Sequence, residues 1–189
     1  MEGLEFYVFE DELWCKTTSG KNFIVDETKT EIVKYMLEKI RNRYPEAYSA
    51  LESIYQSSSP NQPYYQYLLM RRFCKCNFCS LDATVYDVED VDADGKFNFE
   101  KVECPMRGEC PYEGVICMPK FNSNLSVAEL RVMEQLYKGK SEQEAAKELF
   151  SSPNTVHQHV KSVYVKLGIH RLADFIQYAN RNNLFNKLR

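Results

Sequence analysis

Six of the chain's seven cysteines fall in one stretch, as Cys74-x-Cys76-x2-Cys79 and then Cys104-x5-Cys110-x6-Cys117, with only Cys15 outside it. Thiols at this density could ligate a soft metal ion, form a redox centre, or stay reduced as ordinary side chains. No secretory leader is visible at the N-terminus, and in a reducing compartment clustered cysteines favour metal or redox chemistry over structural disulfides. A tetrahedral soft ion needs four thiolates that converge from separate segments. Cys104-Pro105-Met106-Arg107-Gly108-Glu109-Cys110-Pro111 has the prolines and glycine to bend the chain around one. Cys74 and Cys76 would point opposite ways on an extended chain. The expected ligand set is therefore Cys76, Cys104, Cys110 and Cys117, with Cys79 as substitute, and the expected ion is structural zinc. The second reading is an iron–sulfur cluster, suggested by two Cys-Pro dipeptides and making the chain redox-responsive. Plain reduced thiols are the third.

The other constellation lies in the last third of the chain. Ser126-x-x-Glu129 and Ser141-x-x-Glu144 each place a hydroxyl at a helix N-cap and a carboxylate three residues on, and Ser152-Pro153 places a cap acceptor before a proline suited to the first helical position. From there Val156, Val160, Val163, Tyr164 and Leu167 share one face at helical spacing, and Gly168 ends the run. The opposite face carries His157, Gln158 and Lys161, with Thr155 at the first turn and Lys166 near the end. Gln can pair bidentately with an adenine edge, His or Lys can donate to guanine, and hydroxyl or ammonium groups at the helix ends can hold phosphates. The pattern predicts a helix that reads duplex DNA, against a bland reading as a three-helix bundle with a solvated polar face.

Leu125-Ser126-x-x-Glu129, Gly139, Ser141, Thr155-Val156-x-x-His159-Val160 and Lys166-Leu167-Gly168 resemble the C-terminal domain of LuxR-type transcription regulators, over roughly residues 122–185. The resemblance implies a four-helix domain: the helix from Ser152 enters the major groove, the preceding helix braces the DNA backbone, and the last, His170–Asn182, makes a homodimer contact. It implies His157, Gln158 and Lys161 as base-facing residues, Thr155 and Lys166 as phosphate contacts, and His159 as a packing residue. Arg171 and Lys161 are expected to add phosphate contacts. Ala145-Ala146 departs from the family, which has a larger aliphatic before the alanine, and is expected to loosen the core locally.

A chain of 189 residues with 44% hydrophobic and 27% charged content is globular and long enough for two small cores. Leu125–Arg189 holds ten Lys and Arg against six Asp and Glu, while residues 1–124 hold fourteen against twenty-one, so the parts carry +4 and −7 and sum to the net −3. A basic part joined to an acidic one fits a regulator with a separate sensing or interaction module, whose acidic surface could meet a protein partner. The expected division is an α+β domain over 1–118, a linker over 119–124, and the helical domain over 125–189.

Within the first domain, Leu4–Phe9 and Asn22–Val25 read as strands joined across Thr18-Ser19-Gly20-Lys21. Helices are expected from about Thr28, from Pro45, and over Tyr64–Phe73, with Ser57–Pro63 a loop and the tyrosines core or interface residues. Asp90-x-Asp92-x-Asp94-Gly95 satisfies part of a calcium loop, but position twelve is Lys101, and the flanks Thr84–Val91 and Phe97–Val102 alternate like strands. A β-hairpin turning at Asp94-Gly95 is the better reading. All three histidines lie in the helical domain and no GxSxG, P-loop or HExxH pattern occurs, so no enzyme is expected. No apolar run is long enough to span a membrane, and the expected location is the cytoplasm. The alternative from another class is a protein-interaction adaptor that does not bind DNA.

Overall fold

The computed structural model describes residues 2–80, 89–182 and 184–185. It divides into two compact units between Phe121 and Asn122, inside the 119–124 segment.

The first unit opens with a three-stranded antiparallel sheet in the order β1 (Leu4–Phe9), β2 (Glu12–Thr17), β3 (Asn22–Ile24). Two-residue alternation turns Leu4, Phe6, Leu13 and Cys15 to the core. The sequence reading missed β2, and Leu4–Phe9 does not run directly to the Thr18–Lys21 turn. Its Phe9 pairs with Glu12 across a tight two-residue loop, Glu10-Asp11, in which both residues have positive φ, 51° and 63°. That geometry usually calls for Asn-Gly or Asp-Gly, so no local signal announced the turn. Tertiary contacts impose it: Arg71 Nη2 donates to the Asp11 carbonyl at 2.7 Å, and Lys75 Nζ donates to its carboxylate at 2.8 Å.

Three helices follow, α1 (Thr30–Arg43), α2 (Pro45–Tyr55) and α3 (Gln62–Asn77). α1 buries Val33, Met36, Leu37 and Ile40 at helical spacing. It stops at Tyr44, because a residue before proline is pushed out of the α region and Pro45 then opens α2. Tyr44 is itself buried, packed against Phe73, Phe97, Phe99 and Phe121 with ring centroids 5.3–6.2 Å apart. Tyr44, Phe73 and Phe97 are thus core residues, whereas Tyr64 is exposed and Tyr65 and Tyr67 are half-buried. α3 runs four residues past the expected Phe73, which puts Cys74 and Cys76 on a helix instead of an extended chain.

From Glu89 to Phe121 no helix or strand forms among the described residues, and the chain is held by isolated bridges and turns. Val91 bridges both Leu4 and Phe97, and the turn between closes through Asp92 N–H to Lys96 O at 3.0 Å and Gly95 N–H to Asp92 O at 2.8 Å. Gly95 has φ +75°, and a Cβ there would lie 2.9 Å from the Tyr35 hydroxyl, so two constraints select glycine. The turn is the expected one, but its arms are single bridges, and Thr84–Val88 lie outside the described residues. Asp90 is buried and accepts Phe6 N–H at 2.5 Å, which commits its carboxyl to the fold and not to a calcium ion.

The second unit is all helical: α4 (Val127–Tyr137), α5 (Glu142–Glu148), α6 (Pro153–Leu167) and α7 (Leu172–Arg181). Its core is Val132, Met133 and Leu136 from α4, Ala145 and Ala146 from α5, Val156, Val160 and Val163 from α6, and Phe175 and Ala179 from α7. Both alanines are buried and packed, where a looser core was expected. The whole chain is α+β.

Candidate nucleic-acid interface and thiol cluster

Both capping boxes form, with Ser126 and Ser141 side chains accepting the N3 backbone N–H and Glu129 and Glu144 returning to the cap N–H. Ser152 caps α6 by accepting Thr155 N–H at 3.0 Å, Pro153 occupies its first position, and Gly168 closes it at φ +64°. α6 is therefore fixed at both ends, and it buries Val156, Val160 and Val163 against α4 and α5. Its outward face carries Thr155, His157, Gln158 and Lys161, all exposed, with Lys166 exposed in the last turn and Arg171 exposed just before α7.

These six groups are not equally free. Gln158 and Lys161 make no hydrogen bond or ion pair with the protein among the described residues. His157 Nδ1 lies 3.0 Å from the Glu142 carboxylate, so the first turn of α5 orients the ring. The Thr155 hydroxyl shares a 2.8 Å hydrogen bond with the cap hydroxyl of Ser152. Arg171 forms a local pair with Asp174 at 2.8 Å. Lys166 Nζ is held at 2.7 Å by Glu129, a carboxylate only 5% exposed that also accepts Ser162 Oγ at 2.6 Å and Ser126 N–H at 2.7 Å. Burial alone would raise the Glu129 carboxyl, but Lys166, Ser162 and Ser126 overcome it and hold the group down at about 2. Asn154 and Val165 were overlooked in the sequence. Both are exposed on α6, Val165 at 82%, where a helical wheel places them beside Gln158 and Lys161.

Residues 123–179 match the family model described as bacterial regulatory proteins, luxR family. The C-terminal unit is a LuxR-type domain. The match covers less than half of the chain and leaves the N-terminal unit outside it. No curated protein and no solved structure matches the chain. A LuxR-type helix-turn-helix is a DNA-binding unit of transcription regulators, so the match supports a DNA-binding helix-turn-helix regulator. No helix among the described residues is long and apolar enough to cross a membrane.

The thiols lie outside the LuxR-type domain: Cys15 in β2, Cys74 and Cys76 in the last turns of α3, and Cys79, Cys104, Cys110 and Cys117 in the irregular chain that follows. All seven cysteines are free. The buried Asn77 amide ties this segment to the end of α3: Nδ2 donates to Phe73 O and Ile116 O at 2.9 Å, and Oδ1 accepts Met118 N–H at 2.8 Å. That clamp holds Ile116 and Met118, and Cys117 between them, at the end of α3. The loop before it is folded by Arg107 N–H to Cys104 O at 3.1 Å, Cys110 N–H to Met106 O at 2.9 Å and Glu113 N–H to Cys110 O at 3.1 Å. Burial pushes the Cys76 thiol up to about 11; the Arg72 charge pulls it down, and Cys117, Cys104 and Cys110 oppose its ionisation. Burial also pushes the Cys79 thiol up to about 12, with Asp90, Glu100 and Cys76 adding to the rise and Lys75 opposing it. Cys74 is fully buried and Cys15 lies in β2, with burial pushing the Cys15 thiol up to about 12. Among the described residues, no three His, Cys, Asp or Glu side chains converge tightly enough to grip an ion as they stand.

Proposed function

We propose that the protein is a sequence-specific regulator that reads duplex DNA through α6, with an N-terminal module stapled by zinc at Cys76, Cys104, Cys110 and Cys117. The observation that carries the DNA reading is the pair Gln158 and Lys161: exposed, one turn apart, unengaged, and on a helix capped at both ends. A preorganised helix with free amide and ammonium groups matches what the major groove recognises. Gln158 and His157 supply sequence preference, while Lys161 and Arg171 hold phosphates, helped by the Thr155 hydroxyl at the N-terminal end of α6. The exposed side of α7, with Ala173, Gln177 and Asn180, is the proposed contact between two copies.

The zinc staple is supported by the segment's shape. More than thirty residues from Glu89 to Phe121 pack without regular structure, an arrangement that calls for a covalent or coordinate restraint. The test of the DNA reading is selection of bound duplexes from a random pool by the full chain, followed by fluorescence anisotropy across a salt series. A selected motif, and an affinity that falls steeply with salt, are expected. Gln158→Ala should cost about 1–3 kcal/mol at its own base pair only. Equal losses at every sequence would remove Gln158 as a base reader, and binding indifferent to salt would favour a protein-interaction adaptor instead.

A further inference from the structure

We propose that Asn154 and Val165 complete the base-reading row of α6, Asn154 pairing with an adenine edge and Val165 packing on a thymine methyl about five base pairs away. This rests on the reading of α6 as the groove helix made above, and adds the two ends of its contact with the bases. Helical geometry defines the row. The buried stripe Val156, Val160 and Val163 turns one side of α6 toward α4 and α5. At about 100° per residue, Asn154, Gln158, Lys161 and Val165 lie on the opposite side, within an arc of about 60°. His157 falls to one side of that arc, and Thr155 and Lys166 to the other. All four row residues are exposed, and no side-chain hydrogen bond or ion pair engages them among the described residues.

The chemistry of each end follows from its residue type. An Asn amide accepts from adenine N6 and donates to N7 at once, and Asn154 presents a free amide in the first turn of a capped helix. Val165 has no polar group to offer a base. Single exposed aliphatic side chains are common on protein surfaces, so its register carries the argument: it is 82% exposed and ends a row whose other members are polar and free. The thymine methyl is the apolar group that the major groove presents, and contact with it takes both methyl surfaces out of water. Phe150 and Val127 are also exposed but lie outside α6. The row rises about 16 Å from Asn154 to Val165, which spans about five base pairs at about 3.4 Å each. The bound site should therefore carry A·T pairs at both ends of that stretch.

The experiment uses the full chain and the duplex it selects from a random pool. Each thymine is replaced singly by deoxyuridine, which removes only the methyl, and each adenine by 7-deazaadenine, which removes the N7 acceptor. Affinities are read by fluorescence anisotropy. One uracil substitution should weaken the wild type about three- to fivefold, as expected for one buried methyl, and leave Val165→Ala unaffected. One deazaadenine substitution, about four to six base pairs from it, should weaken the wild type about three- to tenfold and leave Asn154→Ala unaffected. Gln158→Ala should keep both sensitivities. Both residues are exposed, so Val165→Ala and Asn154→Ala should melt with the wild type. If a motif is selected but wild type and Val165→Ala respond alike to every uracil, the role of Val165 is overturned and the groove reading of α6 stands. The same result for Asn154→Ala and deazaadenine would overturn the role of Asn154. A chain that selects no motif would overturn the groove reading and this inference together.

Discussion

Glu129→Ala is the most informative single perturbation of the LuxR-type domain. The carboxylate is 5% exposed and holds three donors at 2.6–2.7 Å: Ser126 N–H at the start of α4, and Ser162 Oγ and Lys166 Nζ on α6. One group therefore closes a cap and ties two helices. A hydrogen bond to a charged group contributes about 1.5–3 kcal/mol, and stranding the partner of a buried ion pair costs about 3–5 kcal/mol. Lys166 is 41% exposed and can rehydrate, so its share is reduced, and a loss of about 3 kcal/mol results. In a domain of this size each kcal/mol moves Tm by about 4–8 °C, so the helical unit should melt roughly 12–24 °C lower. The pH dependence gives an independent check. A carboxyl held at about 2 in the folded state, against 4.5 as its ordinary value, stabilises fully above about 4.5 and loses that contribution as pH falls toward 2. Circular-dichroism melts of both proteins from pH 7 to pH 2 should show a gap that closes at the acid end. A gap under about 1 kcal/mol at pH 7, or one that persists unchanged to pH 2, would refute the network reasoning.

Phe150 is 98% exposed at φ +49°, a conformation that costs a non-glycine residue about 1 kcal/mol, so Phe150→Gly should leave the helical unit as stable or up to about 1 kcal/mol more stable in thermal melts. Asn77→Ala should destabilise the first unit by about 3 kcal/mol in urea titrations, because it strands Ile116 O and Met118 N–H, and should speed hydrogen exchange over residues 104–118. Burial raises the Asp90 carboxyl to about 9 despite its bond from Phe6 N–H, with Glu100 and Glu5 adding to the rise. The folded state then binds a proton that the unfolded state has released between about pH 4 and 9. Stability of the first unit should therefore fall as pH rises through that window, by up to about 1.4 kcal/mol per unit, and Asp90→Asn should flatten the curve in urea melts at pH 5, 7 and 9.

The helical domain was legible because its signals are local. Each cap residue and its partner sit three positions apart, and the apolar face of α6 repeats within a single helix. The partners that tie one helix to another were not legible: nothing in sequence links Glu129 to Ser162 and Lys166, more than thirty positions on. β2 was missed for the same reason. Its entry turn, Glu10-Asp11, lacks glycine, and the contacts that stabilise it come from Arg71 and Lys75 on α3. In the thiol segment, the neighbourhood of Cys76 depends on α3 extending to Asn77 and on that side chain's grip on a loop backbone some forty residues away. Backbone acceptors carry no sequence signature, so the spacing of the cysteines pointed to the segment but not to Asn77.

The ion pairs of the helical unit decide which of its cations can serve DNA. Lys138 is paired with Glu134, Lys140 with Glu148, Lys166 with Glu129 and Arg171 with Asp174. Exposed pairs contribute only about 0–1 kcal/mol, so a phosphate can redirect Lys138, Lys140 or Arg171 at small cost. Arg171 is 77% exposed and its partner Asp174 only 27%, and both lie at the open N-terminal end of α7. Lys166 is different, since moving its ammonium to a phosphate would uncover a nearly buried carboxylate that also holds the α4 cap. Sequence-independent affinity should then rest on Lys161 and Arg171, while Lys166 keeps α6 seated on α4 so that Gln158 and His157 meet the groove at a fixed angle. Lys166→Ala should accordingly lower the melting temperature while leaving the slope of affinity against salt nearly unchanged, whereas Lys161→Ala should reduce that slope by about one and leave the melt alone.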